Sequence, residues 1–157
     1  MTVANYFTLT RLLISPLFLM IYSLHEALGL TSALLPYALL VLLTISEITD
    51  AFDGYLARKY NQVTDFGKIL DPMADSISRI SMFLAFTEAP VNLPVPLIFI
   101  FLYRDGMIST LRTICALKGF ALAASRGGKI KTVMQAMCAY LILIFMICHS
   151  NGLLTLD

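Results

Sequence analysis

The stretch Thr49-Asp50-Ala51-Phe52-Asp53-Gly54-Tyr55-Leu56-Ala57-Arg58, followed closely by Gly67-Lys68-Ile69-Leu70-Asp71-Pro72-Met73-Ala74-Asp75, sets four carboxylates into the ends of two apolar segments. Asp50 and Asp53 stand three positions apart and Asp71 and Asp75 four apart, so each pair shares one face of a helix. The short polar connection between them makes the two helices antiparallel neighbours, with both pairs near one membrane boundary. An Asp at the centre of a spanning helix costs about 2.5–3.5 kcal/mol on insertion scales, and such residues are rare and functional. Four facing carboxylates repel one another and take up protons unless cations intervene. All-oxygen donors without Cys or His favour Mg²⁺, Mn²⁺ or Ca²⁺ over zinc. Two such ions make a clamp suited to phosphoryl-group displacement. Gly54 and Ala57 follow Asp50 and Asp53 by four, and Gly67 precedes Asp71 by four. These small residues allow close helix packing or leave room for a flat or phosphorylated ligand. A helix-end cluster paired with Arg58, Lys59 and Lys68 is the plain structural alternative.

Working outward, the 157 residues are 59% hydrophobic and 13% charged, with a mean hydropathy of +0.83. Soluble domains average about 45–50% apolar and about 25% charged, so the chain falls on the membrane side of both. A net charge of +1 excludes a bulk electrostatic attraction to nucleic acid. A spanning helix needs about 20 apolar residues, and five segments qualify or nearly do, over 8–26, 34–57, 66–87, 93–117 and 131–150. The runs are continuous rather than alternating, which excludes strands. Pro36, Pro90, Pro94, Pro96, Gly127 and Gly128 fall in the connections. The expected architecture is a single all-α domain over 1–157, a polytopic membrane helix bundle. Cys115, Cys138 and Cys148 lie in apolar stretches without metal-type spacing and read as small hydrophobes. The first apolar run lacks a small-residue cleavage site and reads as a retained helix.

Lys and Arg are absent between Leu12 and Ala57, between Ile80 and Tyr103, and after Lys131. They gather at Arg11, at Arg58, Lys59 and Lys68, and at Lys118, Arg126, Lys129 and Lys131. With five spans all these clusters fall on one side. The positive-inside rule then places the N-terminus, the basic loops and the carboxylates on the cytoplasmic face of the membrane.

Written out from Asp50 to Asp75, the pattern is D-x2-D-G-x2-A-R-x8-G-x3-D-x3-D. It resembles the signature of the CDP-alcohol phosphatidyltransferases at all eight fixed positions. The resemblance implies a metal-dependent enzyme of a bacterial inner membrane. Asp50, Asp53, Asp71 and Asp75 would ligate two Mg²⁺ or Mn²⁺ ions, and Asp75 would also act as the base that deprotonates the acceptor hydroxyl. Gly54, Ala57, Arg58 and Gly67 would seat the CDP moiety, and a homodimer is implied. Asn5-Tyr6-Phe7-Thr8-Leu9-Thr10-Arg11, Arg104-Asp105-Gly106 with Arg112, and Gly128-Lys129-Ile130-Lys131-Thr132 with Gln135 are similar to stretches of the bacterial phosphatidylglycerophosphate synthases within that family. Two departures stand out: Ser76 occupies a position where those enzymes often carry Lys, and five spans are readable where the family usually has six.

The basic residues make independent sense as an acceptor site. Arg104 and Arg112 are eight apart, near one helix face, and Arg104 lies well inside an apolar segment. A buried arginine needs an anionic partner. Asp105 is one candidate. A phosphate on the acceptor alcohol suits Arg104, Arg112, Lys129 and Lys131 better, since adjacent helical residues face different directions. Arg79, four after Asp75, can neutralise that carboxylate. The expected reaction is transfer of a phosphatidyl group from CDP-diacylglycerol to glycerol 3-phosphate with release of CMP. Inositol phosphate is the second acceptor, and a divalent-cation transporter is the alternative outside the enzyme class.

Overall fold

The computed structural model of the protein describes residues 3–59, 65–119 and 126–153. The chain forms α1 (Val3–Ser23), α2 (Leu35–Lys59), α3 (Asp65–Ala85), α4 (Val95–Leu117) and α5 (Arg126–Ser150), with no strand among the described residues. The five expected segments therefore correspond to five helices. The boundaries shift outward at two N-termini: α1 begins at Val3 rather than at 8, and α5 at Arg126 rather than at 131. Gly127 and Gly128 thus lie within the first turn of α5, not before it. Apolarity marks only the stretch that avoids water, whereas helical hydrogen bonding continues through polar flanks. Pro36 and Pro96 sit in first turns, where a missing N–H costs nothing. Beyond α1 the chain closes at Gly29 (φ 70°), where the Leu30 N–H donates to the His25 carbonyl at 2.9 Å. α5 ends in the same way at Gly152 (φ 71°), with the Leu153 N–H on the Cys148 carbonyl at 2.9 Å. The positive φ is open to glycine without a Cβ clash.

α1 is the organising element and packs most extensively on α3 and α2. Its buried residues Thr8, Arg11, Ser15, Phe18 and Tyr22 recur at alternating spacings of three and four. The cross-helix partners lie at a constant separation of 63 positions: Thr8 Oγ1 donates to Asp71 Oδ1 at 2.9 Å, and Ser15 Oγ meets Ser78 Oγ at 2.6 Å. A constant offset means that α1 and α3 run parallel and in register, as along a coiled-coil seam. The same register sets Ala74, fully buried, level with Arg11. The seam is polar at its N-terminal end and aromatic at the other. There Phe18 and Tyr22 both meet the edge or face of Phe86 at 6.0 Å, an arrangement favoured by the ring quadrupoles.

α2 adds Leu35, Leu39 and Leu43 to this core, and α5 adds Ala139 and Leu143. α4 packs on α3, with Phe83 against Phe101 at 5.6 Å. α5 packs chiefly on α2, where the Tyr140 hydroxyl donates to Thr44 Oγ1 at 3.4 Å. Among the described residues, the backbones of α4 and α5 do not pack on one another.

Large apolar side chains point outward along every helix: Leu13, Val41, Met73, Phe99, Ile100, Val133 and Phe145 are all exposed. Arg11, Ser15, Ser78, Asp105 and Gln135 are buried instead. That distribution inverts the soluble pattern and matches a bundle solvated by hydrocarbon. Leu35–Phe52 and Ile130–Ser150 are long and apolar enough to cross a membrane, and Thr8–Ser23 is a shorter apolar stretch. The protein is membrane-associated.

Candidate functional site

The polar end of the α1–α3 seam opens onto the last turns of α2. Asp50 on α2 and Asp75 on α3 meet there around one cation, the Arg11 guanidinium, which is itself buried at 3% exposure. Arg11 Nη1 donates to Asp50 Oδ1 and lies 2.8 Å from Asp75 Oδ1. The second contact is an ion pair without hydrogen-bond alignment, so Asp75 Oδ1 is buried yet accepts no hydrogen bond. Distance alone would count this oxygen as satisfied. The directionality of the bond says it is not, and direction decides the strength of a hydrogen bond. Asp71, one turn earlier on α3, is exposed and takes the Thr8 hydroxyl.

Arg11, Asp50 and Asp75 border an open cleft that is also lined by Glu47, Ser78 and Arg79. Among the described residues that line it, three carboxylates outnumber two guanidiniums. An additional cation is therefore favoured there on charge grounds, and the all-oxygen donor set suits a hard divalent ion. The misdirected lone pairs of Asp75 Oδ1 point to the same conclusion. The residues fit such an ion. Among the described residues no three acidic, His or Cys side chains form a closed metal cluster. The side chains of Asp53, Gly54, Ala57, Arg58 and Lys129, and the surroundings of Gly67, lie outside the described residues. Their backbones belong to α2, α3 and α5.

Of the two partners the sequence leaves open for Arg104, the structure shows Asp105. Asp105 on α4 is 9% exposed and receives both Lys131 Nζ from α5 and Arg104 Nη1, the latter at 3.1 Å. Arg104 is not buried: its side chain is 43% exposed and reaches the adjacent Asp105. Arg112 is half-buried on the same helix. Among the described residues, the Lys131–Asp105 pair links α4 and α5 across the gap between them. Arg79 makes no contact ion pair with Asp75, although its charge acts on both Asp75 and Glu47 across the cleft. Its Nη1 reaches the Thr132 carbonyl on α5 at 3.4 Å.

Arg11 and Glu47 carry more of this site than the motif indicates. Glu47 stands three before Asp50 on the same face of α2, a spacing visible in the chain but outside the eight-residue pattern. The signal for Arg11 was the stripe Thr8, Arg11, Ser15, polar residues at helical spacing inside an apolar helix. Gln135 on α5 is 6% exposed, with neither amide atom hydrogen-bonded.

An all-helical membrane protein whose carboxylates gather at one end of the bundle is the class that fold and site define. The chain belongs to the CDP-alcohol phosphatidyltransferase family, whose model matches residues 1–156, and it is an enzyme of that family. The family generally depends on divalent metal. The chain is 35% identical over 155 residues to the CDP-diacylglycerol–glycerol-3-phosphate 3-phosphatidyltransferase of Rickettsia typhi, covering 98% of this chain and 81% of that one. It is 32% identical to the Bacillus subtilis enzyme of the same name, over 89% of this chain and 75% of the relative. For the one from Escherichia coli strain K12 the identity is 34%, over 82% and 69%.

Proposed function

We propose that the protein transfers the phosphatidyl group of CDP-diacylglycerol to glycerol 3-phosphate, forming phosphatidylglycerophosphate and releasing CMP. The family match and the names of its relatives support this reaction. The observation that carries it is the meeting of Asp50 and Asp75, from the two halves of the motif, in one cleft around Arg11. Asp50, Asp53, Asp71 and Asp75 would hold two Mg²⁺ or Mn²⁺ ions, which when bound neutralise the pyrophosphate and stabilise charge developing on its oxygens. Gly54, Ala57, Arg58 and Gly67 would seat the cytidine nucleotide, as the motif implies.

Asp75 accepts the proton of the acceptor hydroxyl. That oxygen forms a bond to the lipid-bearing phosphorus while the bond from this phosphorus to the CMP oxygen breaks. A base held in place contributes about 10²–10⁴-fold, and the rest of the acceleration comes from positioning and charge. Arg104, Arg112, Lys129 and Lys131 receive the acceptor phosphate, which takes over the cations that Asp105 holds. The five helices form one domain over 1–157 that spans the bacterial inner membrane five times, as a homodimer, with the cleft on the cytoplasmic side. The basic clusters at one end of the bundle support that orientation.

The test is CMP release by the purified protein with CDP-diacylglycerol and a panel of acceptors. Release that depends on glycerol 3-phosphate, stops with EDTA and returns with Mg²⁺ or Mn²⁺ is expected. Release with inositol phosphate in its place would redirect the acceptor, and no release with any acceptor would sink the reaction.

A further inference from the structure

We infer that Arg79 is the residue of the cleft that contacts the acceptor's phosphate and sets it beside Asp75, an assignment that rests on the reaction proposed above. Arg79 lies one turn beyond Asp75 on α3 and lines the same cleft as Asp50 and Glu47. Among the described residues it makes no ion pair, although three carboxylates line that cleft. Its bond to the Thr132 carbonyl is long, at 3.4 Å, and engages one nitrogen of a group with five N–H donors. A half-buried guanidinium that feels Glu47 and Asp75 through space, but touches neither and makes one weak neutral hydrogen bond, keeps donors for an incoming anion. Carboxylates and phosphates are the partners its fork geometry matches.

The position identifies which anion. Thr132 adjoins Lys131, whose Nζ reaches Asp105 on α4, and Asp105 in turn holds Arg104. Arg79 thus joins the carboxylate cleft to the basic residues of α4 and α5. A small alcohol whose hydroxyl approaches Asp75 places its phosphate a few ångströms away, on the side where Arg79 and Lys131 lie. Ser76 brings no positive charge to this turn of α3, which leaves Arg79 as its cation.

The experiment compares wild type, Arg79→Gln and Arg79→Lys, full-length in nanodiscs. Binding of glycerol 3-phosphate and of glycerol is measured by calorimetry, and KM for each substrate by CMP release. Losing a charge-assisted contact weakens glycerol 3-phosphate about 10- to 100-fold in Arg79→Gln. Arg79→Lys recovers part of that loss, while KM for CDP-diacylglycerol and the weak affinity for glycerol stay put. If Arg79 only offsets carboxylate repulsion, KM for CDP-diacylglycerol and the Mn²⁺ requirement change and acceptor affinity does not, which overturns the assignment. Equal glycerol 3-phosphate affinity in wild type and Arg79→Gln overturns it as well. Wild type that binds glycerol 3-phosphate yet never transfers to it overturns the reaction instead, and the binding comparison still decides the role of Arg79. Helical circular dichroism and Mn²⁺ binding by each variant exclude misfolding as the cause of a loss.

Discussion

Ser15 and Ser78, 63 positions apart in the chain, touch through their hydroxyls at 2.6 Å inside the bundle. Ser15 spends its single proton on the Arg11 carbonyl at 2.8 Å, so Ser78 is the donor in the pair. Ser78→Ala therefore removes the donor, and Ser15→Ala removes the acceptor. Each single change should destabilise by about 0.5–1.5 kcal/mol, with the double change costing less than their sum. Unfolding of the four proteins in mixed detergent measures the coupling, and strict additivity would show that the contact contributes nothing.

Arg11→Met leaves Asp50 and Asp75 face to face with no guanidinium between them. Stability should fall by about 1–3 kcal/mol. That is less than for a fully buried pair, because the two carboxylates are 36% and 37% exposed. CMP release should be lost, and Arg11→Lys should restore stability better than activity, since an ammonium keeps the charge but carries fewer donors on a shorter reach than the guanidinium. Thermal unfolding alongside the release assay reads both. An active Arg11→Met protein would remove Arg11 from the site.

Asp75→Asn keeps the shape of the side chain and removes its ability to take a proton. CMP release should drop by about 10²–10⁴-fold or more while the helical spectrum is unchanged. Full turnover by the folded variant would refute the role of this carboxylate as base.

Gln135 buries an amide with neither atom hydrogen-bonded. Gln135→Leu should raise stability by about 1 kcal/mol, because it removes an unmatched polar group from an apolar site. A lower unfolding temperature in the leucine variant would show that the amide has a partner in the membrane-embedded protein.

The helices were legible because hydrophobic runs of spanning length leave few alternatives, and the carboxylate pairs were legible from their three- and four-residue spacings. Long-range register was not. Nothing local in Thr8, Arg11 or Ser15 announces that their partners lie on α3, so Arg11 read as an orientation signal rather than as the hub of the cleft. The sequence leaves Arg104 two partners, Asp105 and a phosphate, for a related reason. Adjacent helical residues do point apart, yet an exposed arginine has enough rotatable bonds to fold back on its neighbour. Glu47 stands outside the eight-residue pattern, so its spacing from Asp50 carries no signal until the fold sets it in the cleft.

The parallel seam between α1 and α3 also determines which genetic changes the protein survives. One residue added or deleted between Thr8 and Ser15 would rotate part of the polar stripe by about 100° and swing either the Thr8 or the Ser15 end away from its partner. Substitutions at Leu13 or Leu17, on the outward side of the same helix, leave that alignment intact. The outward face of α1 should therefore tolerate substitution, while the helix as a whole is intolerant of a change in length. A scan of single-residue insertions along it, scored for CMP release, would show a sharp boundary where the seam begins.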